Sequence, residues 1–184
     1  MKRPIRPLLV LLTLVVSAWV WWLHRPRPLR PIALVAGEAI GQARYEAAKW
    51  NGWYRPGSNK CNQAVADWIE ASGRARPHVP GHFGVVPRDP SAHEWADPRM
   101  AMAGWSAPLP REEARAGDVI AQAHGPVYGH VGIVVASGRT VSAYGEAQPP
   151  GLVLENDWGF RTSPGANGEG ANDAAPVVRH WLGQ

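Results

Sequence analysis

A single cysteine, Cys61, is present among 184 residues, so the chain can form no internal disulfide, and an oxidising compartment adds nothing to the fold. One thiol also argues against a structural zinc site, and no metal or other cofactor is expected. There are no internal repeats. Acidic residues are missing before Glu38, and no charge of either sign interrupts Leu8–Leu23. The charge that is present is unevenly spread. Six of the 19 Lys and Arg lie in residues 1–30, which leaves 13 against all 15 Asp and Glu in the remainder. Residues 31–184 are therefore slightly acidic, which excludes the nucleic-acid partner that a sequence pI near 9.6 would otherwise suggest.

The length fits one domain with an appendage. Residues 1–30 are the appendage: Lys2, Arg3 and Arg6 precede the uncharged run, and His24, Arg25, Arg27 and Arg30 close it. A basic segment followed by an apolar stretch is an export signal. Val16-Ser17-Ala18 offers a small-residue cleavage site, but it sits inside the run and would leave Trp19–Leu23 on the mature protein. Trp19, Trp21 and Trp22 suit an interfacial belt, so the expectation is an uncleaved, single-pass signal-anchor helix. Residues 31–184 would then lie in the periplasm, or be secreted if the signal is cut.

Within that domain, Ala64, Val65, Trp68 and Ile69 recur at helical spacing behind Cys61, with Ser58 or Asn59 as candidate caps. The thiol thus falls in a helix's first turn, where free N–H groups and the macrodipole favour a thiolate. The alternative, a small buried apolar residue, is the common fate of a free cysteine. The polar neighbours Asn59, Lys60, Asn62 and Gln63 favour instead an edge open to a cleft. Downstream, His130 opens a strand; a helix-borne thiol and a distant strand histidine are the parts of a nucleophile and its base.

Residues 24–35 read as a Pro- and Arg-rich spacer, and Glu38–Lys49 as a helix. Ser91-Ala92-His93-Glu94 is a capping box opening a short helix through Met102. The second half changes period, with strands expected at 117–122, 130–136, 140–144, 152–155 and 177–182, and a mobile Gly/Asn-rich loop at 165–172. Helices first and an antiparallel sheet afterwards give an α+β class. Ser137-Gly138-Arg139 reads as a three-residue hairpin loop, pairing Ala136 with Thr140 and His130 with Glu146. Trp50, Trp53, Trp95 and Trp105 could line a groove, although core filling is the commoner use of tryptophan.

Four stretches in order, Lys60-Cys61-Asn62, Gly117-Asp118-Val119-Ile120, Gly129-His130-Val131-Gly132-Ile133-Val134 and the next hairpin strand, resemble the bacterial papain-like cell-wall hydrolases of the NlpC and CHAP groups. The resemblance covers about Glu38 to Tyr144. It implies a papain-like arrangement, with N-terminal helices carrying the nucleophile packed on a C-terminal antiparallel sheet. It also implies amidase or endopeptidase action on the peptide stems of peptidoglycan. Cys61 would attack the amide carbonyl and His130 would act as its base and acid. The Cys61 N–H would be one oxyanion donor; a tyrosine ahead of the cysteine supplies another in the NlpC group, for which Tyr54 is the nearest candidate, and Asn62 is a further substrate or oxyanion residue. Where the NlpC pattern has a third histidine this chain has Ser142, so the orienting residue falls to Glu146 by the register above, which resembles the CHAP arrangement; Ser142, Asn156 and Asp157 are the other candidates. Two competing readings share these residues: a thiol acyltransferase acting on lipid, and a catalytically silent cell-wall binding module.

Overall fold

The computed structural model describes residues 6–24, 28–45, 60–81, 86–124, 128–144, 151–157 and 174–183. The amino-terminal run forms helix α1 (Arg6–His24), whose large apolar side chains from Val10 to Trp22 are exposed. The uncharged run, at 1.5 Å per residue, rises only about 24 Å, against a hydrocarbon core of about 30 Å. Among the described residues no helix is long and apolar enough to cross a membrane, so the expected spanning anchor is not met by α1.

Helix α2 (Ile32–Gly37) lies where composition marks a spacer, and residues 38–45 form turns rather than the expected helix; residues 46–49 lie outside the described residues. Pro31 sets the entry, and Ile32, Val35 and Ala36 bury one short face. Gly41, at φ 82°, ends the segment, and backbone bonds from Gly41 to Val153 and from Val153 to Gln42 tie it to the sheet. Helix α3 (Cys61–Ala71) buries Cys61, Ala64, Val65, Trp68 and Ile69, the stripe its sequence spacing predicts. After a small hairpin of β1 (Val79–Pro80) and β2 (Pro87–Arg88), helix α4 (Ala92–Ala96) opens on the Ser91/Glu94 capping box. It stops at Ala96, not Met102. Asp97 precedes Pro98 and is held extended (ψ 118°), as a residue before proline must be.

Six strands make one sheet: β3 (Leu109–Pro110), which leads into a 3-10 turn at Arg111–Glu113, β4 (Val119–His124), β5 (Tyr128–Ala136), β6 (Arg139–Tyr144), β7 (Leu152–Asp157) and β8 (Val177–Arg179). Their order is β3-β8-β4-β5-β6-β7, and every pairing is antiparallel. Residues 165–172 lie outside the described residues. The architecture is α+β.

Alternation along the strands divides the core. Val119, Ala121, Val131, Ile133, Val141, Ala143 and Val153 join the buried residues of α2, α3 and α4 in one cluster. Ile120, Val134 and Val178 form a smaller cluster on the opposite face. Trp95 and Trp105 are core, meeting edge to face at 5.3 Å, and Trp105 meets Trp181 at 5.3 Å; Trp50 and Trp53 lie outside the described residues. Gly104 turns beneath this stack at φ 78°, where a Cβ would stand 2.6 Å from the Trp181 ring. Gly104→Ala is therefore expected to cost about 2 kcal/mol, from backbone strain and overpacking together. Urea unfolding of wild type and variant, compared at equal m-value, measures it.

Candidate functional site

Cys61 is the first residue of α3, as its sequence setting predicts. The N-cap is Lys60, which supplies no side-chain acceptor; Ser58 and Asn59 lie outside the described residues. The positive end of the helix macrodipole lies at Cys61. The open edge expected from the polar neighbours does not form: Lys60, Cys61 and Gln63 are 2%, 2% and 5% exposed, and Asn62 is half-buried.

His130 is the third residue of β5, paired with Gln122 of β4. Its Nε2 lies 2.9 Å from the Ser142 Oγ of β6, with both residues buried. The hairpin explains this contact. Ala136 pairs with Arg139 across a two-residue turn, Ser137-Gly138, with Gly138 at φ 72°; Val135 is extra, and Val134 pairs with Thr140. Ala136 thus pairs one residue earlier than expected, and the extra Val135 adds a second step, so beyond the bulge the register is shifted by two. Continued along β5, the observed register (Ile133 with Val141) brings Tyr144 opposite His130, where the two rings lie 4.8 Å apart. The register that would pair Glu146 with His130 is thus not the one formed, and Glu146 itself lies outside the described residues, as does Tyr54.

Beyond Ser142, the Asn156 amide donates to the Tyr144 hydroxyl, so His130, Ser142, Tyr144 and Asn156 form one polar group across β5, β6 and β7. The side chain of Asp157 is outside the described residues. Tyr144 is the member that sequence reasoning passed over. Its signal was available in Ser137-Gly138, since a glycine at the second position suits a two-residue turn.

Helix α3 packs on β5 and β6, the two strands that carry His130 and Ser142. Its polarity follows from its far end: the Ser72 carbonyl accepts from the Arg30 N–H, and the Arg74 guanidinium lies over the Trp181 ring. That is the end of the sheet where β4 begins, so the Cys61 end is directed toward the start of β5. By strand alternation, His130 and Ser142 leave the sheet on the face opposite Val131 and Ile133. Cys61 belongs to the cluster on the Val131 and Ile133 face, so a contact between its thiol and the His130 imidazole would have to run around the end of the sheet, not through its centre.

Of the other histidines, His180 bonds through Nδ1 to Asp118 at 2.8 Å, while His82 and the side chain of His124 lie outside the described residues. Among the described residues no group of three or more His, Cys, Asp or Glu is arranged to hold a metal ion. No family model matches the chain, and no curated protein matches it either.

Proposed function

We propose that the protein is a cysteine-dependent amidase or endopeptidase of peptidoglycan stem peptides, with a papain-like arrangement of helix and sheet. The observation that carries the reading is the His130–Ser142 bond of 2.9 Å on the strands that α3, with Cys61 at its tip, packs against. When Ser142 accepts from Nε2–H, the imidazole carries its lone pair on Nδ1, which can hold the thiol proton. The thiolate attacks the amide carbonyl, and the oxyanion forms against the Cys61 N–H. The imidazolium protonates the leaving amine, and water then hydrolyses the acyl-enzyme. Ser142 takes the orienting role in place of Glu146.

A neutral hydroxyl holds an imidazolium less firmly than a carboxylate does. Ser142→Ala is therefore expected to lower kcat by about 10- to 100-fold with KM little changed, the worth of one hydrogen bond to a charged group. Digestion of purified peptidoglycan, with fragments identified by mass spectrometry, measures both the activity and the scissile bond. An unchanged kcat would remove Ser142 from the mechanism.

The deep burial of Cys61 and the uncharged Ser142 favour a second reading, a catalytically silent module that binds cell wall. Retention on insoluble peptidoglycan without any released fragment would establish it.

A periplasmic setting belongs to the same proposal, with the exposed apolar side chains of α1 attaching the protein to the inner membrane without spanning it. Hydrophobic insertion is not screened by ions, whereas attachment through Arg25, Arg27 and Arg30 would be. The full-length protein is expected to stay with membranes through a high-salt wash. An intact mass showing a mature start at Trp19 or later would identify α1 as a cleaved signal instead.

A further inference from the structure

A cavity of about 520 Å³ opens at the end of the sheet away from Cys61, where the chain leaving α1 enters the domain. Its lining includes Arg30, Arg74, Arg115, Asp118, His180 and Trp181, three arginines against one carboxylate. Arg30 is already paired with Glu38 at 2.6 Å. Among the described residues Arg74 donates only to uncharged oxygens, the Arg30 carbonyl at 2.7 Å and the Ser72 hydroxyl at 2.9 Å. Its Nε is buried without a partner among the described residues, and the Arg115 guanidinium has none there either.

Asp118 does not neutralise this charge alone. Its carboxylate accepts from the Arg115 backbone N–H at 2.6 Å and bonds His180 Nδ1 at 2.8 Å, which fixes the imidazole and commits one ring nitrogen. The other, Nε2, is buried and unpartnered among the described residues. Buried nitrogens of this kind ordinarily have partners. Here two of them, one on an arginine and one on a histidine, belong to side chains lining a concave surface with excess positive charge. Arginine's planar fork matches tetrahedral and planar oxyanions, and an imidazolium Nε2–H would add a further donor.

We propose that this cavity is a binding site for a phosphate group, with Arg74, Arg115 and His180 as its donors and Trp181 as its apolar wall. Nothing in this rests on Cys61 or on the hydrolase reading. The phosphate can come from a phospholipid headgroup or from a free anion, and the two sources separate by experiment. Full-length protein in a neutral detergent is titrated with inorganic phosphate by calorimetry. Native mass spectrometry of the same sample counts bound phosphatidylglycerol against phosphatidylcholine.

Saturable phosphate binding with no lipid preference identifies the free anion; selective retention of phosphatidylglycerol identifies the headgroup. In either case Arg115→Ala and His180→Ala should each weaken binding about tenfold or more, the loss of one charged hydrogen bond. Arg115 is exposed, so its variant keeps the fold and its melting temperature. Binding of neither probe, or binding unchanged in Arg115→Ala, would overturn the proposal.

Discussion

Cys61→Ala is expected to abolish fragment release from purified peptidoglycan, a loss of at least about 10⁴-fold, because no other group on α3 can replace a thiolate nucleophile. The fold should survive the change. Cys61 sits among Ala64, Val65 and their neighbours in the main core, and removing one sulfur leaves a small void costing about 1 kcal/mol. A large activity loss at nearly constant stability separates chemistry from packing. If the variant still releases fragments at the wild-type rate, the nucleophile lies elsewhere.

Arg179→Met should produce the largest change in stability. Arg179 is 2% exposed and has no carboxylate on its guanidinium among the described residues; it donates to four backbone carbonyls, those of Trp95, Asp97, Met100 and Ser106. Burial lowers its pKa from the ordinary arginine value, with Asp97 acting in the opposite direction, yet an arginine so placed remains charged at neutral pH. This one side chain holds the irregular path from α4 to Ser106 against β8. A methionine would fill much of the volume and leave those carbonyls without their donor, at a cost of about 3–5 kcal/mol. Against a total of about 5–15 kcal/mol, that lowers the denaturation midpoint severely. Lysine should not rescue it, because a single ammonium cannot span carbonyls that a planar fork reaches. A loss below about 1 kcal/mol in chemical denaturation would show that the carbonyls find other donors.

The cysteine helix and the strands were legible because their periods are long enough to be unambiguous. Ala64, Val65, Trp68 and Ile69 recur at helical spacing, and β4, β5, β6 and β7 each contain the apolar stretch that marks them. Short-range competition hid the rest. Helix α2 has six residues and draws its stability from burying Ile32 and Val35, which a Pro- and Arg-rich composition conceals. Helix α4 obeyed its capping box at one end, but Pro98 cut it short at the other.

The register of the β5–β6 hairpin turned on one residue of loop length and one bulge. Arg139 belongs to the strand rather than the loop, and the extra Val135 adds a second step, so the partner of His130 is Tyr144 and not Glu146. Because a shift of two keeps the same face, the alternation pattern could not reveal the error. Burial of Lys60 and Gln63 was illegible for a different reason: polar side chains near a helix start say nothing of what folds over them.

The central claim is that Cys61 is an activated nucleophile oriented for His130. It is tested most directly by the pH dependence of its alkylation rate in the native protein, where Cys61 is the one thiol present. A helix-tip thiolate paired with an imidazole should react with an apparent pKa well below the ~8.5 of a free cysteine, and His130→Gln should move that value upward. A native thiol that resists the reagent until the protein is unfolded, or one that titrates at or above the free value, would contradict the account and leave Cys61 as a small residue of the core.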